Sequence, residues 1–340
     1  MSRPLTQPEE IKQAVTKKTT SLRIKAKGPG TLALKYDSWL KPPRYWKLVD
    51  PETGEEKGRF QGLGDQMVAP GEYQIVWRQD EHESSDVTLG EVITVESRKT
   101  TDVMLKTGLR PVTPQWVKKP RFWRLKDPAT GKVIAHFRRL EPQLVPSGEY
   151  DLAWRQDEHG SGTVTLSKVT IQPDTLNDAK LATAINPVPA DWVPEKLRFW
   201  ELRDVKTDKP VAHFRLGWTP QLVPAGTYRF IYRQDEHKSS NSDLGEVTIE
   251  EGKMTEFPVD TGVKLIPQPG VKPPWKIEFI ELNGQGKPIR TVVLKWSFNP
   301  MPLKTGTYKI TYRQEEHGGS TLTLVESFEL PAGALVEVEM

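Results

Sequence analysis

The chain has 340 residues, 36% of them hydrophobic, and a formal net charge of +3 from 48 basic and 45 acidic side chains mixed along its length. That balance excludes the basic footprint of a nucleic-acid binder, and the absence of cysteine excludes disulfides, thiolate metal sites and a cysteine nucleophile. No apolar run reaches the ~18 residues of a membrane-spanning helix, so no membrane insertion is expected.

Met1 to Thr20 is polar and lacks the apolar core of a secretory leader. It reads as a tail (1–20) in which Pro8 to Val15 forms at most one short helical turn. Beyond it the chain repeats itself. An aromatic-Arg-Gln-acid-Glu-His string occurs at Trp77 to His82, Trp154 to His159, Tyr232 to His237 and Tyr312 to His317, and its arginines lie 77, 78 and 80 residues apart. A period near that length suits a small sandwich that buries its own core, rather than a solenoid repeat that needs its neighbours. Four units follow: 21–105, 106–181, 182–259 and 260–340.

Each unit is expected to open with an aromatic-rich strand: Arg44 to Leu48, Arg121 to Leu125, Arg198 to Leu202 and Glu278 to Leu282. Within these, Trp46, Trp123 and Trp200 should be core residues, with Ile280 standing in for them in the last unit. A Gly-containing turn and a second strand (Val133 to Phe137, Val211 to Phe214) come next. The clearest signal is then Gly-x-Tyr at the head of an alternating strand, with Tyr73, Tyr150, Tyr228 and Tyr308. Its spacing is that of a tyrosine corner, in which a buried phenol bonds back to the preceding turn. Along this strand Tyr150, Leu152 and Trp154 should face the core, with Asp151, Ala153 and Arg155 outward. A Ser/Gly-rich loop, a β-branched strand (Val164 to Ile171, Leu244 to Ile249) and a last strand (Met254 to Val259) complete the unit.

This succession, seen best at residues 222–259, resembles bacterial carboxypeptidase-regulatory-like and PEGA-type domains of the prealbumin/immunoglobulin-like sandwich group. The resemblance implies an all-β chain of four tandem Ig-like, Greek-key sandwiches in an elongated array. It also implies non-catalytic spacers or binding modules at the cell envelope or outside the cell.

The string is the main candidate site: Arg78, Gln79, Glu81 and His82; Arg155, Gln156, Glu158 and His159; Arg233, Gln234, Glu236 and His237; Arg313, Gln314, Glu316 and His317. A carboxylate beside an imidazole is metal-ligand or acid–base chemistry. On a continuing strand, however, adjacent side chains diverge, so the string reads as a structural clasp. Arg155, Asp157 and His159 would share the outer face, and each Glu would accept N–H bonds from its own loop. No metal, cofactor or catalytic residue is expected, and no phosphate loop or nucleophile motif is present. His136 and His213 read as cross-strand packing or surface residues. Trp39, Trp116, Trp192 and Trp275, each beside prolines, read as stiff links between units or, alternatively, as ligand-stacking platforms together with Trp218 and Trp296. The expected function is a non-enzymatic spacer, scaffold or interaction arm with a protein or glycan partner, or with further copies of itself. The alternative is a multivalent carbohydrate- or peptide-binding module that uses exposed aromatics.

Overall fold

A computed structural model describes residues 28–340, apart from 216, 237–239 and 318; the tail at 1–20 and the turn expected at Pro8 to Val15 lie outside the described residues. The described residues form four seven-stranded sandwiches and no helix. The first unit contains β1 (Gly30–Tyr36), β2 (Tyr45–Val49), β3 (Glu56–Phe60), β4 (Gln66–Val68), β5 (Gly71–Arg78), β6 (Val87–Val95) and β7 (Thr100–Leu105). One sheet has the order β3-β2-β5-β6 and the other β4-β1-β7, with β1 and β7 parallel.

The second unit repeats this with β8 (Gly108–Val112), β9 (Phe122–Lys126), β10 (Val133–Phe137), β11 (Gln143–Leu144), β12 (Gly148–Arg155), β13 (Val164–Ile171) and β14 (Leu176–Lys180). In the third unit the strands are β15 (Ala184–Pro189), β16 (Phe199–Asp204), β17 (Pro210–Phe214), β18 (Gln221–Leu222), β19 (Gly226–Arg233), β20 (Asn241–Ile249) and β21 (Met254–Val259). The fourth has β22 (Gly262–Ile266), β23 (Lys276–Leu282), β24 (Pro288–Leu294), β25 (Met301–Pro302), β26 (Gly306–Arg313), β27 (Leu322–Leu330) and β28 (Leu335–Glu339).

The core lies between the two sheets of each unit and is built by period-two strands. Tyr73, Ile75 and Trp77 on β5, and Tyr150, Leu152 and Trp154 on β12, are buried, with their inward positions two apart. Trp46, Trp123 and Trp200 are fully buried, each 4.5 Å from the Phe opposite on the third strand. Each indole N–H donates to a carbonyl in the loop after that strand: Gly62, Arg139 and Gly217. In the last unit the equivalent of these tryptophans is Ile277, not Ile280. Ile277 pairs with Tyr312 as Trp200 pairs with Tyr232, and it is fully buried, whereas Ile280, three residues on and so on the opposite face, is only partly buried. Ala153 alternates with Asp151 and Arg155 on the outer face of β12 yet is buried there, as are Ile231 and Thr311 on the corresponding strands.

The tyrosine hydroxyls donate to carbonyls in the turn before their own strand. Tyr73 reaches Ala69 at 2.9 Å, and Tyr150, Tyr228 and Tyr308 reach Ser147, Ala225 and Lys304 at 3.0 Å. Gly148 and Gly226 have φ of 139° and 150°, and a Cβ at either would meet the ring of the tyrosine two residues on. The Gly-x-Tyr spacing thus has a steric cause.

One class of strand is not anticipated from the sequence. β1, β8, β15 and β22 precede the Trp-Pro segments, so those segments connect the first and second strands within a unit and do not link units. Between units run only Lys106-Thr107, Leu181 to Thr183, and Asp260-Thr261. The prolines Pro111, Pro187 and Pro189 disguise the opening strands, because proline within a run argues against a strand.

Candidate functional site

Each fifth strand ends at the arginine of the string, and the next residues turn back instead of continuing the sheet. The shared outer face expected for Arg155, Asp157 and His159 therefore does not form. The arginine caps the turn. Its Nε donates to the carbonyl two residues on, at 2.9 Å for Arg78 to Asp80 and Arg155 to Asp157, 3.0 Å for Arg233 to Asp235 and 3.1 Å for Arg313 to Glu315. Its Nη2 donates to the following carbonyl, that of Glu81, Glu158, Glu236 or Glu316. The aromatic residue heading the string donates to the glutamine carbonyl: Trp77 to Gln79, Trp154 to Gln156, Tyr232 to Gln234 and Tyr312 to Gln314. The Gln79 and Gln156 amides in turn donate to carbonyls of Lys41, Pro42 and Lys118, tying the string to the Trp-Pro segment.

The carboxylate that gathers the loop is the aspartate, not the glutamate. Asp80 Oδ1 accepts from the Glu83 amide, and Asp157 Oδ1 accepts from the amides of His159, Gly160 and Ser161. A short side chain at the start of a turn reaches these amides without unfavourable backbone, whereas a glutamate is one methylene too long. The glutamates point outward instead. Glu81, Glu158 and Glu236 pair with Arg44, Arg121 and Arg198, at the head of the second strand, at 3.4, 2.7 and 2.5 Å. As exposed pairs, each contributes under about 1 kcal/mol. His82, His159 and His317 are exposed, and His237 lies outside the described residues. Among the described residues no group of three or more His, Cys, Asp or Glu side chains is placed to hold a metal ion.

The loop held by this turn is an inter-unit connector. Ser84 forms an antiparallel bridge with Phe137 of the second unit, and Ser161 does the same with Phe214 of the third. Around the first bridge, the Ser85 amide donates to the His136 carbonyl, the Arg138 amide donates to the Glu83 carbonyl, and the His136 amide donates to Ser85 Oγ. Around the second, the Gly162 amide donates to the His213 carbonyl and the Arg215 amide to the Gly160 carbonyl. Glu83 also pairs with Lys119 and Arg139 across the first junction. At the third, Asp243 of β20 pairs with Arg290 of β24. Apolar packing continues through the joints: one cluster contains Val87 of the first unit together with the cores of the second and third, and another joins Tyr232 to the fourth.

His136 and His213 are thereby explained. They recur only in the units that receive such a bridge. Their rings lie 5.0 and 4.5 Å from Phe122 and Phe199, and their backbones carry the bridging bonds. His136 Nδ1 accepts a 2.8 Å hydrogen bond from Arg124 Nε. Burial, followed by the charges of Arg124, Arg138 and Arg121, lowers its pKa to about 4 from 6.5. Because the folded value lies below the unfolded one, the unfolded chain takes up this proton first as pH falls. Stability should therefore decline from about pH 6.5 to about pH 4 and level off below. Glu83, held below the usual carboxylate range by its bonds to Lys119 and Arg139, adds its own loss only from the acid end of that range downward. Thermal melting across this range should show the decline in the transition that includes the second unit, and His136→Gln should flatten it. An unchanged slope in that variant would assign the pH response elsewhere.

The tryptophans divide into two groups. Trp39 and Trp192 lie against the glycine that opens the next unit, Gly108 and Gly262, where a Cβ would collide with the indole. Trp116 packs on the cluster shared by the second and third units, and Trp218 stacks on Tyr232 at 5.4 Å while donating to the Pro194 carbonyl. Trp275 does not belong with the first three. The Val271 amide donates to Gln268 as the Leu40, Val117 and Val193 amides donate three residues back, which places Gly270, not Trp275, at the position of Trp39, Trp116 and Trp192. Trp275 instead takes the place of Arg44, Arg121 and Arg198: its amide donates to Gln314 as that of Arg44 donates to Gln79. Lys276, Lys295 and Arg313 surround its ring at 5.2–5.3 Å. Trp296, beside Lys295, is 52% exposed with φ of 47°. The fourth unit also has Glu315 where the earlier units have aspartate, and Gly319 where the first two have the bridging serine.

No family model and no curated protein matches the chain. Among solved structures it is similar to the Bacillus anthracis TIE protein, at 13% identity over 88% of this chain and 66% of that one, just under two thirds, with a TM-score of 0.17. It is similar to the major pilin subunit of Bacillus cereus, at 10% identity over 92% of this chain and 98% of that one (TM-score 0.17). A streptococcal ancillary pilin is 9% identical over 68% of this chain and 98% of its own, again with a TM-score of 0.17. Superposition this loose transfers no site and no activity, and the sandwich architecture stands on the strand order and registers of the chain itself.

Proposed function

We propose that the chain is a non-enzymatic, rod-like spacer or interaction arm, made of four sandwiches held end to end by built junctions. The observation that carries this reading is the repeated bridge from the string loop of one unit to the third strand of the next, at Ser84–Phe137 and Ser161–Phe214. A flexible chain of beads has no use for backbone bonds, ion pairs and shared apolar clusters at its joints; a rod does. The parallel pairing of first and last strands adds support, because each unit is entered at one end of its sheet and left at the other. Partners of protein or glycan chemistry would bind along the rod or at its ends. The packing of Trp39, Trp116, Trp192 and Trp218 into the joints favours this reading over a fourfold stacking site.

Small-angle X-ray scattering of the monomer tests the proposal. A radius of gyration well above the roughly 20 Å of a compact 340-residue globule is expected. A value near that figure, with a single symmetric distance distribution, would overturn the rod.

A further inference from the structure

The pairing within each three-stranded sheet carries a consequence beyond shape. In all four units the first and last strands are parallel neighbours: Thr31 to Tyr36 beside Thr100 to Leu105, Gly108 to Val112 beside Leu176 to Lys180, Ala184 to Pro189 beside Met254 to Val259, and Gly262 to Ile266 beside Leu335 to Glu339. Tension along the chain pulls the start of the first strand and the end of the last in opposite directions along their common axis. The two strands must then slide past each other, and every hydrogen bond of the ladder shares the load at once. Had the ends left from the same side, the bonds would open one by one.

The prolines are phased to spare this ladder. In the second unit the Gly108 amide donates to the Thr175 carbonyl and the Leu181 amide to the Val112 carbonyl. Bonding directions alternate along a strand, so the even-numbered residues of β8 face β14 and Pro111 faces away. In the third unit the Ala184 amide donates to Lys253 and the Ala190 amide to Val259, so even-numbered residues of β15 face β21, and Pro187 and Pro189 face away. The same alternation turns Pro258 toward the outer edge of β21. Four prolines in these strands remove no bond from the ladder, and on the outer side a missing N–H discourages pairing with another chain. The ladder also runs past the assigned strands: the Met340 amide donates to the Ile266 carbonyl. Only two or three residues separate one ladder from the next, which leaves little slack to absorb force.

We propose that each unit is a shear clamp and that the chain bears tensile load along its length; this rests on the spacer reading above. Single-molecule pulling of the full chain is the test, and the lack of native cysteine makes one introduced thiol a unique handle. Held by its two ends, the chain should give four rupture events, each releasing roughly 25 nm of contour. Ala332→Cys places the handle in the exposed turn before β28, at the same end of the ladder as the start of β22. Pulling between the N-terminus and that thiol still shears the first three units but unzips the fourth. Three events should keep their force while one falls by about two-fold or more, because forced unfolding follows the unfolding barrier along the pulled direction. Melting of the Ala332→Cys chain at the native temperature would show that direction, not instability, lowered the force; if it melts early, Pro331→Cys supplies the same geometry. Four equal events with either handle, or end-to-end ruptures no stronger than the unzipped one, would overturn the clamp. Weak ruptures in a particle that scatters as a rod would remove the clamp and leave the spacer reading standing.

Discussion

Replacing Trp200 by alanine should unfold the third unit. The indole is fully buried, 4.5 Å from Phe214 and stacked at 5.2 Å on Phe230, and its N–H donates to the Gly217 carbonyl at 2.9 Å. Truncation removes the largest side chain at the centre of the sheet and leaves a cavity that rigid neighbouring rings cannot fill. It also strips the Gly217 carbonyl of its donor. The expected cost is about 3–5 kcal/mol, a large part of the total stability of so small a domain. The apolar cluster around Trp200 is continuous with that of the second unit, so the calorimetric transition of the second unit should also move down. Ile277→Ala, at the equivalent position of the fourth unit, deletes fewer atoms and no indole bond, and should cost nearer 2–3 kcal/mol. A Trp200→Ala chain whose transitions all match the native ones would show that this ring does not hold the unit together.

How much of this could be read from the sequence follows from the range of the interactions. The alternating β5, β12, β19 and β26, with Gly-x-Tyr at their heads, were legible because the period of two and the glycine requirement are local. The opening strands were not, because three prolines in β8 and β15 are the usual mark of a loop. Their tolerance depends on which side of the strand each missing N–H faces, and that is set by a partner nearly a whole unit away. Sequence alone points to the glutamates as the acids that gather the loop, whereas the aspartates accept its amides. The alternating pattern would extend the strand past Arg155, whereas the arginine ends it by bonding two carbonyls ahead. The bridging role was hidden for a related reason: the partner of Ser85 is His136, 51 residues on. One signal was available. The pair His-Phe occurs at 136–137 and 213–214, but the first unit has Arg59-Phe60 at that place, so the histidine marks units that receive a loop. The fourth unit likewise announces its difference by Gly270, Trp275, Glu315 and Gly319, and the places of Gly270 and Gly319 in the earlier units become legible as contacts with a neighbour only once the junctions are seen.

Asp243→Ala should loosen the joint between the third and fourth units more than any other single truncation on its polar side. Asp243 is buried on β20. Its Oδ1 accepts from the Gly245 amide at 2.9 Å, while Oδ2 lies 2.7 Å from Arg290 of the fourth unit and 3.6 Å from Arg229 of its own. One carboxylate thus faces two guanidinium groups at the joint; Arg229 also pairs with Asp208, so it is chiefly Arg290 that loses its partner when Asp243 is removed. Removing one member of a buried pair typically costs ~3–5 kcal/mol, chiefly because the partner charge is left without compensation. Here the side chains of Arg229 and Arg290 are 24% and 35% exposed, and water recovers part of that loss. About 2–3 kcal/mol is therefore the reasonable scale. Asp243→Asn keeps the shape and the acceptor for Gly245 but not the charge, and should fall between the native chain and Asp243→Ala. In calorimetry the transitions of the two units should separate, and scattering should broaden toward a bent ensemble. The decisive measurement is a double-mutant cycle with Arg290→Met, in which a tie across the joint makes the two losses strongly non-additive. Simple additivity would mean that the apolar contacts of Tyr232 and Trp218 carry this joint alone.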